Sequence, residues 1–447
     1  MTCSHKEDVC CQDQIEDSVL WPVDEVPDVG TRDGVDGHLR RFEEHIKEGL
    51  LAASCAIGLE ILAEKMEADV TELAGPKGKH LKNRTAKRHG TESGSVTLGG
   101  RQVGIDHPRV RTADNKHEIP VPTYAAATNT DLLAEGVVAR MLAGLSTRRY
   151  RDGLEPVGAG IDAKAKSTSK SAISRRFVDA TSDRLDDLLR RRLEDKTFVV
   201  VYLDGFNLGE HLLVGALGVV EDGTKLSLGV VEGTTENAEV CTRLVADLAD
   251  RGLDASRGIL FVVDGSKALS KAIRAVFGNK AVIQRCRLHK ERNIERHLPA
   301  AEWEWVKPKL RDAWAEPDHK KAKAALEALA RALETKRPGA AGSLRDGLDE
   351  TIAINRLGVG QATALWRSLA STNPIESMID IIKDHAIRVK RWRDGKMALR
   401  WAAAGMICAQ DQFRRLRGHK QLPLLQQTLA QAIATNPNFI DQLEEAA

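Results

Sequence analysis

The chain has 447 residues, 42% of them hydrophobic, which is enough for more than one buried core and implies two to four domains. Seven cysteines without framework spacing speak against a disulfide-built secreted scaffold, and no apolar run approaches the ~18 residues of a membrane span, so a soluble, reducing, cytoplasmic setting is expected. The net charge is +2, yet residues 1–36 hold ten Asp and Glu against Lys6 and Arg32, a balance of −8 that leaves +10 on the remainder.

In chain order, residues 1–36 are an acidic leader without apolar periodicity, expected to be disordered. Its Cys3, His5, Cys10 and Cys11 lack the C-x2-C pair of a zinc site. Residues 37–127 begin with a helical pattern over Leu39–Leu73, broken at Gly75-Pro76. The stretch 77–112 then carries nine Lys and Arg against Glu92 and Asp106. Within it, Val96–Leu98, a Gly99-Gly100 turn and Arg101–Ile105 predict a hairpin whose polar face presents Arg101, Arg109 and Arg111 to a polyanion.

Residues 128–196 read as helical. Leu132–Leu142 is apolar at helical spacing and stops at Gly144, and Leu145–Tyr150 predicts a second helix capped by Ser146 and carrying Arg148. Ser167–Thr181 predicts a third, with Lys170, Ser171, Ser174, Arg175 and Arg176 available to a ligand. Two short helices before a Ser/Lys/Arg-rich one suggest a helix-turn-helix-like DNA-binding domain, although a structural helix with a polar face explains the same pattern.

Residues 197–300 carry the main chemical signal. Phe198–Leu203 and Ile259–Val263 are short apolar runs that fit strands buried on both faces, and each ends in Asp-Gly, at Asp204 and Asp264. Carboxylates at strand ends sit at a sheet rim, where paired cations of a phosphoryl-transfer site would be clamped. Leu212–Val220 and Leu226–Val231 predict two antiparallel strands after the first run. Helix Glu236–Arg251, the strand to Asp264, helix Lys267–Phe277, strand Ala281–Gln284 and a helix from Cys286 follow. The series β-β-β-α-β-α-β-α is a ribonuclease-H-like α/β layout with a mixed five-stranded sheet. In that layout the first and fourth strands are parallel neighbours, which brings Asp204 and Asp264 together.

Residues 301–370 turn into Ala-, Leu- and Arg-rich helix, an all-helical insertion in which Trp303 and Trp305 either fill the bundle core or stack on an unpaired base. Residues 371–417 return to the core. In Ser371-Thr372-Asn373-Pro374-Ile375-Glu376, Asn373 predicts an N-cap and Pro374 a first helical residue, placing Glu376 in the first turn. Position alone does not separate Glu376 as a third metal ligand from an ordinary first-turn glutamate, and Asp380 and Asp384 share its helix. The helix is expected to continue through Arg388, Lys390 and Arg391, a basic face for DNA. Residues 418–447 predict a helical tail.

Four stretches resemble bacterial insertion-sequence transposases of the Mutator type, within the DDE transposase superfamily. They are YLDG with its hairpin; VVDG through QRCRLHKERNI; STNPIES; and the upstream RHGTESGSVTLGGRQVGIDHPRVR with GLSTRRY and STSKSAISRRF. The resemblance runs in order from about residue 70 to 415. It implies that Asp204, Asp264 and Glu376 are a catalytic metal triad holding two Mg²⁺ ions, replaceable by Mn²⁺. It also matches Cys286 and His289 to a Cys-x2-His pair, which on the residues alone is either supporting or structural. It further implies cleavage of element ends at terminal inverted repeats and joining of the 3′-OH to target DNA, by at least a homodimer on double-stranded DNA. A nuclease or resolvase on the same fold that cleaves without joining, or a non-catalytic DNA-binding regulator, are the alternatives.

Overall fold

The computed structural model describes residues 49–79, 84–128, 131–233, 238–359 and 363–435. The acidic leader, its Cys/His group and the first part of the helix expected from Leu39 lie outside the described residues, as do residues 436–447 of the tail. The chain divides into two compact units, Met1–Leu132 with Leu154–Thr168, and Leu133–Gly153 with Ser169–Ala447. No helix among the described residues is long and apolar enough to cross a membrane.

In the first unit, helix α1 (Leu50–Ala74) precedes a long antiparallel hairpin, β1 (Ala86–Leu98) and β2 (Arg101–Thr112). Gly99 and Gly100 both take positive φ, the two-residue turn that suits the strand twist and that the sequence predicts. The register runs from Leu98↔Arg101 to Ala86↔Thr112 with one slip between Arg88 and Thr91. Short strand β3 (Glu118–Ile119) pairs with β2, and helix α2 (Pro122–Ala127) follows. Met66 and Val70 of α1 pack on Ala86, Val110 and Val121, a small core.

Helix α3 (Asp131–Leu142) starts at the junction and ends as expected near Gly144, at φ +91°. Residues 145–150 do not form the expected second helix. Arg149 N–H closes a turn on Ser146 O, Tyr150 is drawn fully into the interior, and a 3-10 turn at Arg151–Gly153 follows. Helix α4 (Ala159–Ala163) and strand β4 (Ala165–Lys166) belong to the first unit, so residues 128–196 are divided between the two. Helix α5 (Lys170–Arg190) starts where Ser169 Oγ accepts the Ala172 N–H, and its Ile173, Phe177 and Leu188 are buried.

The second unit is built on a mixed five-stranded sheet. Strands β5 (Phe198–Leu208), β6 (His211–Val220) and β7 (Lys225–Gly233) form an antiparallel meander. Helix α6 (Ala238–Asp250) leads to strand β8 (Ile259–Val263), helix α7 (Lys267–Phe277), strand β9 (Ala281–Arg285) and helix α8 (Arg287–Glu295). The spatial order is β7-β6-β5-β8-β9, with β8 parallel to both β5 and β9. The first and fourth strands of this segment are therefore parallel neighbours, as the element series predicts. Side chains alternate across a sheet, so Val201, Leu203, Phe261, Val263 and Ile283 join Leu244, Leu248 and Ile273 of α6 and α7 in one core. Their successors Asp204, Asp264 and Gln284 take the opposite parity.

The chain from α9 (Ala300–Ala315) through α10 (His319–Glu334), α11 (Pro338–Arg345), α12 (Leu348–Thr351), α13 (Ala353–Arg356) and α14 (Ala364–Leu369) is helical. Trp303, Leu310, Trp314, Leu326 and Leu333 give it a core of its own. Helix α15 (Asn373–Ala386), helix α16 (Gly395–Asp411) and helix α17 (Leu422–Thr435) complete the unit. Ser227 of β7 donates to Met406 O of α16, and the Phe177 and Trp401 rings of α5 and α16 lie 4.9 Å apart.

Candidate active site

The last paired residues of the parallel strands are Leu203 with Val263 and Val263 with Arg285. One step further, Asp204, Asp264 and Cys286 stand level across β5, β8 and β9. Asp204 is not the end of its strand, since β5 continues to Leu208 against β6; it lies where β5 parts from β8. Gly205 N–H donates to Asp204 Oδ1 at 2.9 Å, and Ser266 N–H donates to Asp264 Oδ1 at 2.8 Å, so each carboxylate is oriented by its own backbone. Gly265, at φ +111°, is required in the second turn, because a Cβ there would meet Arg285 Nε at 2.2 Å.

Thr372 ties Glu376 to this edge. It, rather than Asn373, is the N-cap of α15, and its hydroxyl makes no capping bond. Thr372 Oγ1 donates to Glu376 Oε1 at 2.5 Å and lies 3.3 Å from His289 Nδ1. Its backbone N–H donates to Cys286 Sγ at 3.4 Å. Cys286 N–H donates to Val263 O at 2.7 Å and Arg287 N–H to Ala370 O at 2.9 Å, so the start of α8 is fixed between β8 and the segment leading into α15. Cys286, His289 and Glu376 are thereby drawn together, their donor atoms all within 4.8 Å of one another.

Asp204 is only 7% exposed. Burial, together with the charges of Asp264 and Glu376, pushes its carboxyl up to about 7, against a lowering by His289. His289 is pushed up to about 9, chiefly by its hydrogen bond with Cys286 and then by the negative charges of Cys286, Asp204 and Glu376. Burial alone would raise the Cys286 thiol; hydrogen bonds from His289 and Thr372 outweigh it and hold the thiol below its ordinary range. A buried carboxylate that feels two others is a surplus of negative charge that a divalent cation would relieve. An all-oxygen set of Asp204, Asp264 and Glu376 suits Mg²⁺ or Mn²⁺. The Cys286/His289/Glu376 set has softer donors, and its sulfur is fully buried and already receives hydrogen bonds.

The remaining expected contacts are dispersed. Arg101 is 3% exposed, its guanidinium bonded to Asp162 and Glu155 O, so it holds the first unit together and presents nothing to a ligand. Arg109 is paired with Glu118 and Glu92, and Arg111 lies 3.8 Å from Glu118. Arg148 is exposed on the turn after α3. Lys170 and Arg175 are exposed, and Ser174 and Arg176 half-buried, along α5. Trp303 is 8% exposed within the bundle core, while Trp305 is 39% exposed. Arg388, Lys390 and Arg391 are exposed but not helical: α15 stops at Ala386, where Val389 N–H turns back to Ala386 O. Sequence reasoning missed Thr372, although it lies four residues before Glu376, one helical turn.

The chain matches the model of the family described as Transposase, Mutator family, over residues 40–415. It is 28% identical over 249 residues to the transposase for insertion sequence element IS6120 of Mycolicibacterium smegmatis, covering 54% of this chain and 73% of that protein. It is 26% identical over 314 residues to the IS1081 transposase of Mycobacterium tuberculosis, covering 68% and 71%. Against the transposase of IS256 in transposon Tn4001 of Staphylococcus aureus it is 26% identical over 252 residues, 54% of this chain and 60% of that one. With a site edge built by YLDG, VVDG, QRCRLH and STNPIE, and a family match across most of its length, this chain belongs to the Mutator family of transposases.

Proposed function

We propose that the second unit is a ribonuclease-H-like catalytic core that cleaves the ends of an insertion sequence and joins each freed 3′-OH to target DNA. The observation that carries this reading is the level placement of Asp204 and Asp264 on parallel neighbours β5 and β8, with Glu376 close enough to weigh on Asp204. Asp204, Asp264 and Glu376 would hold two Mg²⁺ ions, with Mn²⁺ as a substitute. Such a pair, when bound, lowers the pKa of an attacking water or 3′-hydroxyl and stabilises the leaving oxygen of an in-line displacement.

The chain's own residues supply the rest. Thr372 holds Glu376 in one orientation, and the Gly205 and Ser266 amides do the same for Asp204 and Asp264. His289 keeps its proton at neutral pH and puts a positive charge beside the carboxylates, where a phosphate would be drawn in. No covalent enzyme intermediate is required, so cleavage and joining differ only in the nucleophile. The partners are double-stranded terminal repeats and target, held by at least a homodimer because two ends must meet; the setting is the cytoplasm, at the nucleoid. Mg²⁺-dependent nicking of DNA carrying the terminal repeat is expected. Asp204→Ala should abolish it and leave DNA binding intact; nicking that survives in that variant would refute the assignment.

A further inference from the structure

A groove of about 710 Å³ runs along the flank of α15, outside the carboxylate cluster. Arg367 of α14, Lys225 at the start of β7, and Arg414, Arg415 and Arg417 after α16 line it. No Asp or Glu lines it. Several exposed arginines of this unit are matched to carboxylates, such as Arg192 with Glu194, Arg311 with Glu291 and Arg337 with Glu302. Here only Arg415 meets one, Asp222 at 3.6 Å; Arg367, Arg414 and Arg417 have no carboxylate partner among the described residues.

The backbone that carries these cations is held in place. Leu416, buried between Arg415 and Arg417, donates its N–H to Gly223 O at 2.8 Å. Ser368 Oγ lies 3.2 Å from Arg417 O, and Gly418 approaches so close that a Cβ would meet Leu365 N at 2.2 Å. Lys225 Nζ sits 4.9 Å from the Phe413 ring centroid. Ser371, Asn373 and Ser377 add polar groups at the start of α15, where the helix dipole favours an anion. Ser371 is next to Thr372, so the groove's wall and the catalytic hub are consecutive residues.

We infer that this groove binds the phosphate backbone of duplex DNA without regard to sequence, a surface of the kind a target DNA requires. Arginines and hydroxyls carried on a fixed backbone at an open surface position a phosphate backbone. The inference rests on the transposase reading for its biological partner, but its test needs no chemistry.

The full-length protein is titrated in chelator against a short random-sequence duplex and against one bearing the inverted repeat that bounds the gene, from about 50 to about 200 mM salt. In Arg414→Ala/Arg417→Ala the slope of log affinity against log salt should flatten by about two, and in Arg367→Ala by about one. Ser377→Glu, which leaves every arginine in place, should weaken binding as well. The losses should be equal on both duplexes, with melting temperatures unchanged. Unaltered slopes, or a loss confined to the repeat duplex, would overturn the inference. Absence of Mg²⁺-dependent nicking by the wild type would overturn the catalytic proposal alone and leave the binding result standing.

Discussion

Asp204 carries the sharpest electrostatic consequence. Its carboxyl, ordinarily near 3.8, is pushed up to about 7 by burial and by Asp264 and Glu376. Below the ordinary value the group is protonated folded or unfolded and costs nothing. As pH rises toward 7 the unfolded chain releases the proton and the folded one retains it, so stability is lost across that window, by roughly 4 kcal/mol at most. Asp204→Asn should therefore melt above the wild type in chelator at pH 8, with the difference shrinking to nothing near pH 4. Added Mg²⁺ should raise the wild-type melting temperature and leave Asp204→Asn unmoved; a scanning fluorimetry titration reads both. Thr372 gives a second test. Thr372→Val keeps the shape and removes the hydroxyl that donates to Glu376, so nicking should fall roughly 10- to 100-fold while folding is retained. Thr372→Ser should restore most of it. Equal rates for Val and Ser would assign the residue to packing alone. Neither role was legible from sequence, because Thr372 reads as an ordinary residue ahead of a helix and its partners Cys286 and His289 lie more than 80 residues earlier.

At the scale of elements, α8 is the part that joins chemistry to scaffold. Cys286, its N-cap, and His289 lie beside Thr372 and Glu376, while Arg287 and Lys290 are buried against the helices of residues 300–369. Arg287 donates to Thr351 O at 2.8 Å and to Asn355 Oδ1, and its guanidinium lies 4.8 Å from the Trp366 ring and 5.6 Å from that of Trp314. Lys290 Nζ donates to Ser343 O and Asp346 O. Burial pushes Arg287 down to about 9 and Lys290 to about 7, the cost of placing cations among helix-end carbonyls. Arg287→Ala strands Asn355 Oδ1, leaves Thr351 O with the Gln284 amide alone and opens a cavity beside Trp314 and Trp366, and should destabilise by about 3 kcal/mol. Because α8 also holds His289, nicking by the folded fraction should fall too, measured below the variant's melting transition. An unchanged specific rate would detach those helices from the site. The strands were legible because Phe198–Leu203 and Ile259–Val263 are unbroken apolar runs that only a doubly covered sheet accommodates. The helix expected from Leu145 was not, because buried Tyr150 competes with the local pattern. The outward face expected for Arg101 failed for a similar reason: its partner Asp162 is 61 residues away.

At the scale of the molecule, the second unit brings a carboxylate edge, a bundle of helices over residues 300–369 and a basic groove together. The family match, over residues 40–415, covers the carboxylate edge and all of the groove except Leu416 and Arg417. The strand order and the carboxylate pair could be read from periodicity and two Asp-Gly steps, while the choice of Glu376 over Asp380 or Asp384 came from the resemblance. The dispersed arginines could not be placed, since charge has no periodicity that reports its partner. What separates a transposase from a nuclease on the same scaffold is whether a DNA 3′-hydroxyl can replace water as the nucleophile. The direct measurement supplies purified full-length protein with pre-cut duplex ends bearing the terminal repeat, supercoiled plasmid as target, and Mg²⁺. Covalently joined end–plasmid product should form with the wild type and be absent with Asp204→Ala, Asp264→Ala or Glu376→Ala. Plasmid nicking without joined product, or joining that persists in those variants, would contradict the account.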